Sequence, residues 1–347
     1  MQALVYHGPH DLRLEERPRL EPGPGEAVLR VAACGICGTD LRILAGAHRA
    51  YPPGTRRVPG HEIAGILTAC GSGVTLPEGM AAFIAPNIGC GLCRQCKAGR
   101  INLCLQPRAL GITHDGAFAE QVLLPADLIA QGNVLPAPDG HDLGAIALVE
   151  PLACVLRGSR ACAIGAGDLI LIQGAGPIGL LHLRVARLRG PRAIVMSEPN
   201  RERRAQAQLW GADYVVDPAT EDLGALIAHL SDGAGADVII VAAPAAQAQE
   251  QAIGLAARGG RINFFGGLPK DHSRISIDAN LIHYHELIVT GTTANTTEDC
   301  RAALALVTSG QIDTSSLISA RYPLAESAAA FAAAASGQAL KVILEPS

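Results

Sequence analysis

Four cysteines fall within fifteen residues of the stretch GCGLCRQCKAGRINLC: Cys90, Cys93, Cys96 and Cys104, spaced C-x2-C-x2-C-x7-C. Thiolates this close in sequence can wrap a single tetrahedral ion, and Zn2+ takes four sulfur ligands at about 2.3 Å in closed, structural sites. An iron–sulfur cluster also uses four thiolates, but its bacterial run ends in Cys-Pro, whereas Leu105 follows Cys104. Disulfides are the other use of clustered cysteine. Met1 leads into QALVYHGPHDLRLEE, without the basic start and apolar core of a secretory leader. Clustered cysteines without that leader read as metal ligands rather than cross-links. Zinc is the expectation.

A second set is scattered: Cys37 in CGICGTD, His61 and Glu62 in VPGHEIAG, and Glu150 in ALVEPLAC. Each is bland alone. A lone Cys is usually a small core residue, a lone His a satisfied ring, and Glu150 could cap a helix or pair with Arg157. Together they offer one thiolate, one imidazole and two carboxylates. That set suits a catalytic zinc with three protein ligands and an exchangeable position, at which an alcohol oxygen is polarised. Thr39, two residues after Cys37, reads on its own as a turn residue bonded to its own backbone. Asp40 reads as a residue that orients local backbone.

The third motif is Gly174-Ala175-Gly176-Pro177-Ile178-Gly179, which follows the apolar run DLILIQ and opens a helical stretch. In such a turn the first glycine makes the bend, the second lets backbone approach a pyrophosphate, and the third allows close helix–strand packing. The helix N-terminus favours the phosphates' charge. Glu198 lies 24 residues after Gly174, where a carboxylate would accept ribose hydroxyls and disfavour a 2'-phosphate. This points to NAD over NADP. Arg201, Arg203 and Arg204 follow closely, as a solvated helix face or as partners for the cofactor.

The elements that must position these groups are of two kinds. The first 150 residues carry short β-patterned runs, Gln2–Tyr6, Glu26–Ala32 and Glu62–Ala69, separated by turn signals such as EPGPGE and CGSG. After Glu150 the pattern alternates. Strands are expected at Asp168–Gln173, Ala193–Ser197, Tyr214–Val216, Asp237–Val241 and Arg261–Phe265, with a sixth at His285–Thr290. Helices are expected at Leu180–Arg189 and Arg201–Trp210, and in the Ala-rich tail Ser327–Ala335. Alternation of this kind implies an α/β, doubly wound parallel sheet.

In this order GICGTD, PGHE, the cysteine quartet, VEPLAC and GAGPIG resemble the zinc-dependent medium-chain dehydrogenase/reductase family, across essentially the whole chain. The resemblance implies a GroES-like β catalytic domain at 1–151, with a structural-zinc lobe near 88–106. It implies a Rossmann dinucleotide-binding domain at 152–290, and a C-terminal return to the catalytic domain at 291–347. It implies a catalytic zinc on Cys37, His61 and Glu62, with Glu150 binding the ion or its water. A structural zinc would sit on Cys90, Cys93, Cys96 and Cys104. Thr39 matches the relay hydroxyl, and Gly174, Gly176, Pro177, Ile178, Gly179, Glu198 and Arg203 the cofactor site. Simpler alcohol dehydrogenases have Cys where Glu150 stands. The His61-Glu62 pair with Glu150, and the stretch Asn280-Leu-Ile-His-Tyr-x-Glu286, are more similar to sorbitol, sugar-alcohol and cyclitol dehydrogenases. Where some relatives complete the relay with His, this chain has Arg42. A guanidinium stays protonated and cannot relay, so Arg42 is an exposed helix residue or a contact for a polar or anionic substrate.

The chain has 347 residues, 49% hydrophobic and 17% charged, with a net charge of −4. That is natural for two domains and gives no broad basic face for nucleic acid. No apolar run reaches the roughly 20 residues that span a bilayer, so a soluble, cytoplasmic protein is expected. The implied assembly is a homo-oligomer, tetramer or dimer. The leading expectation is hydride transfer from a secondary alcohol of a polyol, sugar alcohol or cyclitol to NAD, with two zinc ions per chain. A threonine or simple alcohol dehydrogenase is the alternative, and a dinucleotide-binding scaffold the non-enzymatic one. Cys34, Cys70, Cys154, Cys162 and Cys300 are left over as reduced residues. His48, His114, His283 and His285 have no spacing that assigns them.

Overall fold

A computed structural model describes residues 1–346. The chain divides into two compact units: Met1–Ala153 with the segment from Ala294 onward, and Cys154–Thr293.

The first unit is built on a seven-stranded sheet. In spatial order its strands are Ile318–Tyr322, Lys341–Leu344, Ala27–Gly35, Glu62–Cys70, Ala81–Ile84 and Val134–Pro136, and Gln121–Leu124 also pairs with Ala27–Gly35. All neighbours run antiparallel except Ile318–Tyr322 with Lys341–Leu344. Apolar residues alternate into a core that includes Leu29, Ile63, Leu67, Ile84, Phe118 and Val342, as expected for half-buried strands. Gly35 pairs with Glu62 on one side and Ile343 on the other, so three strands reach the same end of the sheet.

The second unit is a six-stranded parallel sheet in the order Tyr214–Val216, Ala193–Ser197, Leu169–Gln173, Ala236–Val241, Ala256–Phe264, Ile288–Gly291. Numbered along the chain this is 3-2-1-4-5-6, the doubly wound order that places a ligand outside the carboxyl ends of the strands where the order reverses. The central strand LILIQ is buried throughout, as a strand covered by helices on both faces must be. Gln173 pairs with both Ser197 and Val241, which brings three strand ends level just before Gly174.

Several boundaries differ from the expected ones, the fifth parallel strand for instance starting at Ala256 rather than Arg261. The helix after the glycine turn spans Pro177–Arg187, with Gly176 as its N-cap. Pro177 fits the first helical position because it lacks an N–H that would have no partner there. The sixth strand is Ile288–Gly291, because Ala279–Tyr284 is a short helix and Glu286 turns at φ 52°.

His182, on the helix Pro177–Arg187, is fully buried, and neither ring nitrogen has a hydrogen-bond partner among the described residues. It packs edge-on against Phe265 at 4.7 Å between centroids. Burial pushes its pKa down to about 3, from about 6.5 for a free imidazole. Between those values the unfolded chain binds the extra proton. Stability is therefore fully present above pH 6.5 and is lost as the pH falls, by at most about 1.4 kcal/mol per unit. Replacing His182 with Leu should raise stability at neutral pH by about 1–3 kcal/mol, since two unpaired buried nitrogens disappear, and should flatten the acid decline. Melting curves of both proteins between about pH 4 and 8 check this; parallel declines would contradict it.

Candidate active site

Cys37 ends the turn after strand Ala27–Gly35 and serves as N-cap of helix Gly38–Leu44. His61 and Glu62 stand at the start of strand Glu62–Cys70. The Gly35–Glu62 register brings these segments together, and one ligand atom from each of Cys37, His61 and Glu62 lies within 4.8 Å of the others. Gly60 is required just before them. Its φ is +95°, and a Cβ there would lie 2.7 Å from Phe118 and 2.9 Å from the Cys34 sulfur.

The donor set fits a divalent cation. Glu62 Oε2 is buried and has no hydrogen-bond partner, a state that is costly unless a cation or proton satisfies it. Burial opposes charge on His61, but Asp40 and Cys37 outweigh it and hold the ring's pKa well above its usual value. The same negative field would favour a metal ion, which competes with that proton. Asp40 Oδ1 lies 3.5 Å from His61 Nδ1, and its other oxygen accepts from the Cys37 N–H at 2.9 Å. With Nδ1 turned toward a carboxylate, Nε2 is the nitrogen available to an ion.

Lys341 completes this site, although no sequence motif marks it. It opens strand Lys341–Leu344 and is 5% exposed. Its ammonium donates to Glu62 Oε1 at 2.5 Å and to the Ile36 carbonyl at 3.1 Å. Glu62 therefore presents one oxygen, Oε2, to the cluster.

Glu150 stands outside the group of mutually close ligand atoms. It lies in the first turn of helix Val149–Ala161, and its Oε1 accepts from Asn295 Nδ2 at 2.7 Å. Asn295 in turn accepts from Asn87 at 2.8 Å. Burial raises the Glu150 pKa, and His61 opposes the rise, so the carboxyl is near the cluster without joining it. Thr39 is half-buried beside Cys37, and Arg42 donates to its Oγ1 at 3.1 Å. His48 is also half-buried, whereas His114 bonds Thr113 and His283 meets Tyr284 edge-on on the helix Ala279–Tyr284.

The quartet Cys90, Cys93, Cys96 and Cys104 gathers with all four sulfurs within 4.8 Å of one another. The Cys93–Cys96 and Cys90–Cys96 sulfurs are 3.5 and 4.0 Å apart. Tetrahedral Zn–S bonds of about 2.3 Å would set sulfurs about 3.8 Å apart, so these separations fit an ion and exclude disulfides. Backbone N–H groups of Cys90 and Gln106 point at the Cys104 sulfur, and that of Cys93 at the Cys90 sulfur, at 3.2–3.3 Å. Backbone donors of Cys96 and Leu105 pull the Cys93 thiol down to about 6, while burial pushes Cys96 up to about 12.

In the second unit Gly174 turns at φ +104°. A Cβ on Gly179 would lie 1.9 Å from the Gly174 carbonyl oxygen, whereas at Gly176 the nearest atom is an Arg203 guanidinium nitrogen at 3.9 Å. Gly179 thus permits the close turn, and Gly176 leaves room for a ligand. Glu198 is buried, with one oxygen accepting from Ala175 N–H at 2.8 Å and the other from Asn200 N–H at 3.0 Å. Each carboxylate oxygen keeps a second lone pair for a hydroxyl. Arg204 is committed to Asp217 and to the carbonyls of Glu198 and Pro199; Arg203 is the cation beside the turn.

Known proteins share this architecture. Residues 23–138 match the family described as alcohol dehydrogenase GroES-like domain, and residues 177–309 that described as zinc-binding dehydrogenase. The chain therefore belongs to the zinc-dependent medium-chain dehydrogenases, enzymes that use zinc and a nicotinamide cofactor on CH–OH donors. It is 31% identical to sorbitol dehydrogenase of Halalkalibacterium halodurans, over 100% of this chain and 99% of that one. It is 35% identical to L-threonine 3-dehydrogenase of Thermococcus kodakarensis, over 93% and 91%. A Sinorhizobium meliloti protein described as a zinc-binding dehydrogenase, solved with NADP, superposes with a TM-score of 0.92 at 36% identity over 99% of both chains. No helix among the described residues is long and apolar enough to cross a membrane.

Lys341→Met leaves the Glu62 carboxylate buried without its cation, which should destabilise metal-free protein by about 3–5 kcal/mol. Zinc should recover part of that loss, because a second cation then faces Glu62. Denaturant titrations with zinc and with chelator measure both, and an equal loss in the two states would refute the pairing. Gly179→Ala should disrupt the turn and weaken dinucleotide binding by at least about tenfold, read by calorimetric titration; the strain corresponds to about 1–3 kcal/mol.

Proposed function

We propose that this chain oxidises a secondary alcohol of a polyol, sugar alcohol or cyclitol and that NAD takes up the hydride. The observation that carries the reading is the close Cys37–His61–Glu62 group with its buried, unpartnered Glu62 Oε2. A zinc ion held by these three would supply Lewis-acid polarisation of the alcohol oxygen. A second zinc on the cysteine quartet, with four protein ligands and no open position, would be structural.

The chain's own groups divide the remaining work. Asp40 orients His61, and Lys341 fixes which oxygen Glu62 presents. Glu150, held by Asn295 and near the cluster, is placed to accept a hydrogen bond from water or substrate at the exchangeable position. Thr39 Oγ1 already accepts from Arg42, so its own hydrogen is free to donate toward a substrate oxygen and its remaining lone pair can accept the alcohol proton. Gly174, Gly176, Pro177, Ile178 and Gly179 would cradle the pyrophosphate, and Glu198 with Arg203 would hold the adenosine ribose. A buried carboxylate at the ribose supports NAD over NADP. Threonine remains the second substrate reading, because a threonine dehydrogenase is as similar as a polyol one.

Purified, zinc-loaded protein should reduce NAD with polyols or cyclitols faster than with L-threonine or primary alcohols, and faster than it reduces NADP. Metal analysis should give about two zinc ions per chain. Cys37→Ser should lose about one of them and depress turnover by more than about 100-fold, beyond the effect of outer-shell changes. Undiminished turnover in that variant would refute the reading.

A further inference from the structure

The rim of the Cys37 cluster carries more positive charge than a neutral polyol needs. Arg42 is exposed near the end of helix Gly38–Leu44, with its guanidinium on Thr39 Oγ1 at 3.1 Å. Five residues beyond that helix lies Arg49, also exposed. Neither arginine has a carboxylate partner among the described residues, although many other arginines do, among them Arg13, Arg204 and Arg321. His48 lies between them in sequence, and burial, Arg42, Arg49 and His61 all disfavour its charged form. Arg42 and Arg49 thus both lie close enough to His48 to act on it electrostatically. Asp40, the acid that opposes this effect on His48, is 1% exposed and already engaged by Cys37 N–H and His61.

The segment that presents them is fixed. Ala47 N–H donates to the Arg42 carbonyl at 2.9 Å, and Tyr51 N–H to that of His48 at 3.0 Å. His48 Nδ1 accepts from Ala50 N–H at 3.2 Å, and the Tyr51 hydroxyl donates to the Gly111 carbonyl at 2.7 Å. With Nδ1 accepting, a neutral His48 carries its proton on Nε2, a donor suited to hydroxyl or anionic oxygen. Arg42 thus stands one hydroxyl away from the position proposed for proton relay, and its planar fork matches a carboxylate or phosphate.

We infer that the substrate is an anionic polyhydroxy compound, whose carboxylate or phosphate is held by Arg42 and Arg49 while a hydroxyl a few atoms away meets the Cys37 cluster. This rests on the proposed dehydrogenase reading and narrows its substrate class. Arg42 then acts in binding and specificity, and the proton relay does not extend through it.

The test offers zinc-loaded protein and NAD three matched sets: hexitols, hexonates, and hexitol 6-phosphates of the same configuration. One anionic set should exceed the neutral hexitols in kcat/KM by at least tenfold, and which one does so separates carboxylate from phosphate. Arg42→Gln and Arg49→Gln, both at exposed positions, should each reduce that anionic-to-neutral ratio by at least tenfold, chiefly through KM, and Arg42→Lys should restore part of it. Raising salt from about 0.05 to 0.5 M should raise KM for the anionic substrate and leave that for the hexitol in place. Hexitols oxidised as well as the anions, with a ratio unmoved in both variants, would overturn the inference and leave the dehydrogenase reading standing. If no set is oxidised, that reading fails for these substrates. Calorimetric titration of hexonate and hexitol phosphate into wild type and the double variant then decides the inference alone, and binding without charge dependence overturns it.

Discussion

Everything at the Cys37 cluster hangs on the pairing of Gly35 with Glu62. A one-residue slip would send Glu62 to the opposite face of the sheet. Gly35 allows the pairing because any Cβ there would lie 2.0 Å from Glu62 Oε2. The neighbouring strand Lys341–Leu344 is in register with the same glycine, and it delivers the ammonium that neutralises Glu62. A buried carboxylate without such a partner would cost more than the pocket returns. The sheet register, the Lys341–Glu62 ion pair and the ligand geometry are consequently one constraint.

The two cysteine-bearing sites contrast in how they are assembled. The quartet closes through a loop of fifteen residues, whose backbone N–H groups point at the sulfurs, so its geometry is largely local. The Cys37 group is gathered from a helix N-cap and the start of a separate strand, and its Glu62 Oε2 is left unsatisfied. Closure suits a structural ion, and incompleteness suits a reacting one. In the second unit the governing limit is steric: the Gly174 carbonyl leaves no space for a side chain at Gly179, and the helix can start at Pro177 only because of that.

The residues around the cluster also explain how a familiar motif acquires an individual character. Asp40 is both an N-cap partner and an orienter of His61, so helix Gly38–Leu44 and the imidazole are aligned by one side chain. Arg42 places a permanent cation on the Thr39 hydroxyl, and in the proposed reading that position serves charge recognition rather than proton transfer.

Much is legible in the sequence because it is local. The quartet spacing, the strand–glycine–helix order and the buried apolar runs are periodic or contiguous, and each is realised over a few residues of backbone. The ordered motifs from Cys37 to Glu150 mark the cluster's members. They cannot rank them: Glu62 joins the close group, and Glu150 is bound by Asn295, 145 residues away. Nor can composition mark Lys341, one of three lysines, as the partner of a carboxylate 279 residues distant. The bend at Glu286 that shortens the last parallel strand carries no strong local signal either. The order of residues alone specifies which chemical groups are present and which turns they can make. Which of those groups share a neighbourhood is a property of the folded chain, because strand register, a long-range relation, sets the distances over which charge and hydrogen bonding act.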